Sequence, residues 1–366
     1  IKIYPRAGIF GLAKQKLKEF SAEQYYLKQA KHQAFLAEKS IQATMKVHPE
    51  HKLNSVTERL IDAYAKEKLG SIHFAPMLKA YAVYQGEFKE GWISDNYFER
   101  HVLPRTNGFH KTLSDLRQLA KRILQADEMP DLGYFVRGCW IGVTNQVMTK
   151  AQAKDFFFSQ TNQIILKTNA SMRGQGFYRL SADEFDRLEE WKMTDFVVQL
   201  PIQQHEWYAR FSRDSVATLR ITTVKPWGKP AKKMAAFMRF GRDGVDRVTA
   251  TSRLVVGVTA SGELDRYSLD SDWELLSEHP DSKIAWEGNQ LPGFEQMVRR
   301  CEELHDLEGT IEIIGWDVIW DQNETMQLME WNTGYPGIVH SEMTTGPNFL
   351  ETDWIDLWKN QPRKQG

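Results

Sequence analysis

The sequence predicts an α+β protein with a helical N-terminal region, and three observations carry that prediction. Apolar residues recur at helical spacing near the start: Leu12, Leu17, Phe20, Tyr25, Leu27, Ala30, Ala34 and Leu36 are set among Lys, Glu and Gln. After Pro130 this pattern gives way to short runs rich in β-branched and aromatic residues. Near the end, the stretch from Ile311 to Pro336 reads as a β-hairpin whose polar residues converge on one face.

The chain of 366 residues is long enough for two or three domains with a substantial core. Its composition, 42% hydrophobic and 26% charged, is that of a globular enzyme. A net charge of -1 provides no field to recruit nucleic acid or an acidic membrane surface. The two cysteines, Cys139 and Cys301, make neither a CxxC pair nor a disulfide framework, so a reducing, cytoplasmic setting is expected. No apolar run is long enough to span a bilayer, and no signal-peptide pattern opens the sequence.

Taken in order, the first helix is expected from Leu12 to Val47, and a second from Ser55 to Leu69, with Asn54 or Ser55 as cap and Gly70 as stop. The segment Phe74 to Gly91 is apolar without a clear period, and Trp92 to Gly108 reads as a boundary. A helix is predicted from Thr112 to about Gln125, another from Lys150 to Phe158, and a capping box at Ser181-Ala182-Asp183-Glu184 predicts a third, running to Lys192. The strand Ile164–Lys167, the small-residue loop Thr168 to Gly176 and the strand Phe177–Leu180 form a β-loop-β. Neither a Walker loop nor a Rossmann turn is present, but the backbone N–H groups around Ser171, Gly174 and Gly176 can cradle a polyphosphate, with Lys167 ending the strand beside them. The alternative is a plain hairpin turn with a surface lysine. The apolar strand Phe196–Ile202, broken by Pro201, suits a hinge whose backbone meets a planar base; His205, just beyond, is read as a structural or ribose-side group. Paired strands are expected over Ser215–Val224 and Lys233–Phe240, then a hairpin over Leu254–Tyr267 and a helix from Pro292 to Leu304.

A four-residue turn Gln322–Thr325 would place Asp321 opposite Met326, and the same register places Asp317 opposite Glu330. One face then carries Ile313, Gly315, Asp317 and Ile319 against Met326, Leu328, Glu330 and Asn332. Opposed carboxylates on an otherwise apolar face repel each other, so something positive should lie between them. Two carboxylates and an amide oxygen suit Mg²⁺ or Mn²⁺. The alternatives are a register shifted by one residue, or an arginine for each carboxylate.

The lysine-ended strand, the small-residue loop, the hinge strand, and Asp317 followed thirteen and fifteen positions on by Glu330 and Asn332 with Thr333-Gly334 resemble, in this order, the ATP-grasp superfamily. The run GWDV…MEWNTGYPG is similar to its sugar-transfer-associated branch, related to α-L-glutamate ligases. The likeness covers about Asn107 to Pro347. It implies two α+β subdomains sandwiching ATP: a small or lid subdomain over 107–203 and a large one over 204–366, after a helical region 1–106. Lys167 is implied as the phosphate lysine and Ser171, Gly174, Gln175 and Gly176 as the lid loop. Gln199, Leu200 and Ile202 are implied at the adenine, with His205 near the ribose and Met329 under the base. Asp317, Glu330 and Asn332 are implied as Mg²⁺ ligands. A second nucleotide lysine, common in the family, is missing; Arg117 or Lys121 replaces it, or the contact is absent.

The implied activity is an ATP- and Mg²⁺-dependent carboxylate–amine ligase acting through an acyl phosphate, with Arg220 and Arg242 as candidates to hold the substrate carboxylate. An amino acid and a uronic-acid-type sugar of polysaccharide biosynthesis are the implied partners. A kinase of the same fold and a nucleotide-binding module without turnover are the alternatives.

Overall fold

The computed structural model describes residues 9–169, 176–189 and 194–359, with side chains from residue 21 on. The chain divides into two compact units, Ile1–Val102 with Asp353–Gly366, and Leu103–Thr352.

The first unit is helical. Its long helix runs Ile9–Val47, followed by a 3₁₀ turn Pro49–His51 and helices Ser55–Glu67 and Ala75–Gln85. Ala37, Ser40 and Thr44 are buried at helical spacing, and these small side chains let the long helix lie close against Ala75–Gln85. Asn54 caps the second helix, accepting from the N–H groups of Val56 and Thr57 at 3.0 and 2.9 Å. The apolar segment after Phe74, which has no clear period in the sequence, is a helix buried on nearly every side.

The second unit holds two antiparallel sheets. Strands β1 (Asp131–Val136), β2 (Cys139–Gly142), β3 (Val147–Met148), β4 (Gln163–Thr168), β5 (Phe177–Ser181) and β6 (Phe196–Gln199) form one, in the order β3-β2-β1-β6-β4-β5. Its core is aromatic, built on Phe135, Trp140, Phe157, Phe185 and Phe196. Strands β7 (Thr218–Val224), β8 (Lys232–Phe240), β9 (Leu254–Val258), β10 (Leu264–Leu269), β11 (Leu275–Leu276), β12 (Ile313–Trp320) and β13 (Met326–Asn332) form the other, in the order β11-β10-β9-β8-β7-β12-β13. The helix Phe294–Leu307 covers it through Phe294, Met297, Cys301 and Leu304.

Two helix expectations are corrected. Residues Gly108–Asp115 form a 3₁₀ segment and the α-helix starts only at Arg117, because Asn107 and Ser114 are held by the hairpin rather than by a continuing helix. The Ser181 capping box is present, but its helix is the short Ala182–Asp186; the expected continuation to Lys192 runs partly outside the described residues.

The closing hairpin pairs Asp317 with Glu330, Trp316 with Trp331 and Gly315 with Asn332, as the register argument expects. The route to that register is different. The turn holds five residues, so Trp320, not Asp321, faces Met326, and a bulge at Met329 restores the step. Asp321 is absorbed by the turn, accepting from Asn323 N–H at 2.9 Å and Thr325 N–H at 3.0 Å. The bulge also moves Met326 and Leu328 off the Asp317 face: they pair with Trp320 and Val318 and join the core.

Candidate nucleotide site on the hairpin

Asn107, fully buried, pins the hairpin to the segment before it. Its Nδ2 donates to the carbonyls of Ile313 and Thr333, both at 2.7 Å, and its Oδ1 accepts from Glu312 and Ile313 at 3.2 and 3.0 Å. All four bonding positions of the amide are used. Thr333 adds bonds to the Lys111 carbonyl at 2.9 Å and Ser114 Oγ at 3.1 Å. This fixes the start of the helix Arg117–Leu124, and Arg117 reaches Glu330 Oε1 at 3.2 Å. Lys121 turns instead to the carbonyl of Met129 at 2.8 Å, so of the two residues considered in place of the missing lysine, Arg117 is the one at the hairpin.

The positive partner of Asp317 is arginine. A carboxylate offers about four lone-pair sites. Four N–H groups take them: Nε and Nη2 of Arg220 at 2.6 and 2.9 Å, Nη2 of Arg239, and Nδ2 of Asn332 at 3.4 Å. Arg220 projects from β7 directly opposite Asp317, and its Nη1 donates to the Pro336 carbonyl. Gly315 makes room for it, since a Cβ there would lie 3.1 Å from Arg220 Nη1 and 2.9 Å from Pro336 Cα. Burial opposes the charge on both groups, but mutual attraction prevails: Asp317 is held below the usual carboxylate range and Arg220 above its own. One carboxylate cannot satisfy two guanidiniums. Burial therefore pushes Arg239 down to about 10, and Arg220 and Arg253 push it the same way. Its Nε is buried and takes no hydrogen bond.

Asp317 is thus spent on arginines and does not fit a divalent cation in this geometry. Glu330 and Asn332, both partly exposed, keep acceptor oxygens that these bonds do not use. Arg220, being consumed by Asp317, is not available for a substrate carboxylate. Arg242 is not at the site either: its Nε and Nη2 fork onto Asp281, both at 2.7 Å, and it shares no bond with Asp317, Arg220 or Arg239 among the described residues.

Beside the hairpin lies a slot lined by Ala120, Met129, Val197, Met329 and Trp331, with Arg117, Gln199 and Glu330 among its polar walls. Lys167, the last residue but one of β4, has its Nζ 3.3 Å from the Met329 carbonyl. Burial lowers its pKa and the Glu330 carboxylate works against that. Met329 lines the slot because it is the bulged residue, a placement that strict alternation does not predict. Gln199 points its side-chain amide at the buried Asp131 (2.7 Å), and in the hinge backbone the Leu200 N–H donates to the Pro130 carbonyl (2.8 Å). Ile202 packs on the core of the larger sheet. His205 caps the short helix Glu206–Ala209, accepting from Trp207 N–H at 3.1 Å. Of the expected lid, Ser171, Gly174 and Gln175 lie outside the described residues; Gly176 has φ +74° and its carbonyl accepts from Thr168 N–H at 2.9 Å. Asn107 and Asp131 escaped the sequence reading, since their partners come from strands far away in the chain, and Arg239, read there with Arg242 as one of two arginines in a loop suited to gripping a carboxylate or phosphate, lies at the end of β8 on Asp317.

Residues 189–352 match the family model described as sugar-transfer associated ATP-grasp. No curated protein matches the sequence. Among solved structures, biotin carboxylase from Campylobacter jejuni is similar at 11% identity and a TM-score of 0.41, covering 67% of this chain and 46% of that one. D-alanyl-alanine synthetase A from Vibrio cholerae is similar at 12% identity and 0.39, over 67% of this chain and 61% of that one. An ATP-grasp ligase complexed with a minimal precursor is similar at 11% identity and 0.37, over 63% of this chain and 55% of that one. The chain spans about half the length of the solved structures it matches. Residues 189–352 of this α+β chain, which follow its helical N-terminal region, are thus similar to the sugar-transfer associated ATP-grasp family.

Proposed function

We propose that the protein is an ATP-dependent carboxylate–amine ligase. The observation that carries this reading is the concentration of positive charge around the hairpin: among the described residues Arg117, Lys167, Arg220 and Arg239 gather about the carboxylates of Asp317 and Glu330, with that of Asp131 also near Lys167. Such a site calls for an anion. The base and ribose lie along the slot, which has to widen to admit them, and Lys167 and Arg117 hold the phosphates beside it. Lys167, with its pKa lowered by burial, gains most from a polyphosphate arriving next to it. Arg239, with a buried Nε that lacks a partner, replaces Arg220 and Arg242 as the group that holds the substrate carboxylate. Mg²⁺ when bound would supply charge neutralisation at the phosphates, and Glu330 and Asn332 are the residues left to hold it.

In the reaction, a carboxylate oxygen attacks the γ-phosphorus, the bond to the β-phosphate oxygen breaks and ADP leaves. An amine then attacks the acyl carbon, releasing phosphate and a proton and leaving an amide. The family description as sugar-transfer associated supports a uronic-acid-type acid and an amino acid as amine. Hydroxylamine separates the readings. With ATP, Mg²⁺ and a panel of uronic acids and amino acids, the ligase gives ADP and a hydroxamate of the true acid, and Arg239→Ala abolishes the hydroxamate. A phosphorylated hydroxyl product without hydroxamate moves the assignment to a kinase. Nucleotide binding without ADP release across the panel moves it to a module without turnover.

A further inference from the structure

The face of the larger sheet that carries the hairpin carboxylates continues past the arginine fork. Strand pairing sets Glu330, Asp317, Arg220, Phe237 and Gly257 in one row across β13, β12, β7, β8 and β9. The slot lies at the Glu330 end of that row. At the other end the helix Val339–Thr344 lies on β9, and Gly257 lets it do so, since a Cβ there would come 2.4 Å from Thr344 Oγ1. This helix sets the His340 imidazole against Phe237, with ring centroids 5.6 Å apart, and stacks it on Trp273 at 5.5 Å and 24°. Arg239, two residues along β8 and on the same face, has its guanidinium 5.7 Å from the centre of the same Phe237 ring.

Phe237 thus has Arg239 on one side and His340 on another, and each of these holds a buried nitrogen that takes no hydrogen bond among the described residues: Nε of Arg239 and Nδ1 of His340. Native folds seldom leave buried polar atoms open. Asp317 cannot serve them, because its lone pairs go to Arg220, to Nη2 of Arg239 and to Asn332. The sign of the group that would suit them follows from charge. Burial, and then the charges of Arg253 and Arg239, push the His340 pKa well below the ordinary histidine value, so the ring is neutral. Arg253, directly before β9, acts on Arg239 in the same direction. Guanidiniums and a neutral imidazole offer N–H groups in a positive field, which suits an anionic oxygen and repels an ammonium.

The reacting carboxylate belongs at Arg239, toward the fork and the nucleotide. His340 and Arg253 lie toward β9, one strand spacing, about 5 Å, further from the slot. We infer that the acid held at Arg239 carries a second anionic group, received by His340 and Arg253, so that the acid substrate is a dianion: a dicarboxylic acid or an acid bearing a phosphate. The inference rests on the reading of Arg239 as the residue that holds the acid. A uronic acid phosphorylated on its ring belongs to this class, and a plain uronic acid does not. His340 is then a specificity residue whose Nδ1–H donates to the second anion while Trp273 and Phe237 fix its ring.

The parent protein, saturated with a non-hydrolysable ATP analogue and Mg²⁺, is titrated by calorimetry with matched acids: a uronic acid with and without a ring phosphate, and a dicarboxylic acid with its monoamide. In at least one pair the dianion should bind at least about tenfold tighter than its mate, and the pair that responds tells phosphate from carboxylate. His340→Phe keeps a ring between Trp273 and Phe237 and removes the open nitrogen, so it should melt no lower than the parent. It should lose most of the preference for the dianion, with affinity for the monoanion and for ATP unchanged. In the hydroxylamine assay that loss should fall on KM for the dianion and spare kcat. Equal affinity within every pair, no binding of any dianion, or an undiminished preference in His340→Phe overturns the inference. A preference that His340→Phe removes, with no hydroxamate from any acid, upholds the dianion site and counts against the ligase reading instead.

Discussion

Asp317 and Asp281 are each gripped by an arginine fork of the same form, and only their surroundings differ. Arg220 meets Asp317 at 2.6 and 2.9 Å with side chains 8% and 10% exposed. Arg242 meets Asp281 at 2.7 Å twice, but its side chain is 42% exposed. In the buried fork there is no water to share the charge, so a second guanidinium, Arg239, is drawn in and left partly unsatisfied. In the surface fork water and salt do the sharing. The sequence offered both arginines as equals for gripping a substrate. Burial decides that one fork belongs to an electrostatic centre and the other ties down a loop.

The largest effect should come from breaking the buried fork. Asp317→Asn leaves Arg220 and Arg239 buried against a neutral amide, a loss of about 3–5 kcal/mol. Urea denaturation should show it as a lower midpoint at unchanged slope. The double change Asp317→Leu with Arg220→Met removes charge from both sides and should cost less than Asp317→Asn alone. A single variant within 1 kcal/mol of the parent would show that the fork behaves like a surface pair.

Acid should separate the forks from the rest of the unit. Both aspartates titrate below their ordinary range, so neither explains stability lost above about pH 4. His305 does. It is fully buried in a directional chain: Trp316 Nε1 donates to Thr223 Oγ1 at 2.7 Å, Thr223 donates to His305 Nδ1 at 2.7 Å, and His305 Nε2 donates to the Ile311 carbonyl at 3.1 Å. Only the neutral ring fits this chain, and burial pushes its pKa down to about 4. Below about 6.5 the unfolded chain binds a proton that the folded ring refuses. Stability contributed by His305 is therefore complete above the unfolded value and falls as the pH drops toward 4, by roughly 3 kcal/mol. His305→Asn should reduce the slope of stability between pH 6.5 and 4, with His279 and His340 carrying the remainder; an unchanged slope would assign the acid limb elsewhere.

The nucleotide prediction tests whether the buried centre wants an anion or a cation. If repulsion between Asp317 and Glu330 were unrelieved, Mg²⁺ alone would stabilise the fold. The arginines already relieve it, so Mg²⁺ alone should not shift the melting temperature, whereas ATP at about 100 times its Kd should add about 2.7 kcal/mol. Lys167→Ala should remove most of the ATP shift. Stabilisation by Mg²⁺ without nucleotide would restore a cation site at Asp317.

What was legible in the sequence was periodic. The helical N-terminal region, the strand-rich remainder and the pairing of Asp317 with Glu330 all follow from residue spacing on a single element or hairpin. Even there, a turn one residue longer than expected was offset by the bulge at Met329. Side-chain partners drawn from distant strands were not legible. Arg220 and Arg239 reach Asp317 across 97 and 78 residues, and Gln199 reaches Asp131 across 68. No local pattern tells an arginine on a central strand from one in a loop until the sheet order is known.

The smallest expected effect belongs to the surface fork, and it decides whether the comparison stands. Arg242 holds the Asp281 carboxyl down to about 2. An aspartate lowered in this way adds stability above its unfolded value near 3.8, and loses it as the pH falls through about 2. Because Arg242 is 42% exposed, solvent and salt screen the pair, so Arg242→Ala should cost at most about 1 kcal/mol at pH 7. That cost should shrink in about 1 M salt, where the screening length is about 3 Å. It should vanish below pH 2, where Asp281 is protonated in both states. ADP formation should be unchanged, because Arg242 shares no bond with the residues around Asp317 among those described. A variant that keeps its stability but loses ADP formation tenfold or more would return Arg242 to the substrate and show that a surface fork can open to receive a carboxylate.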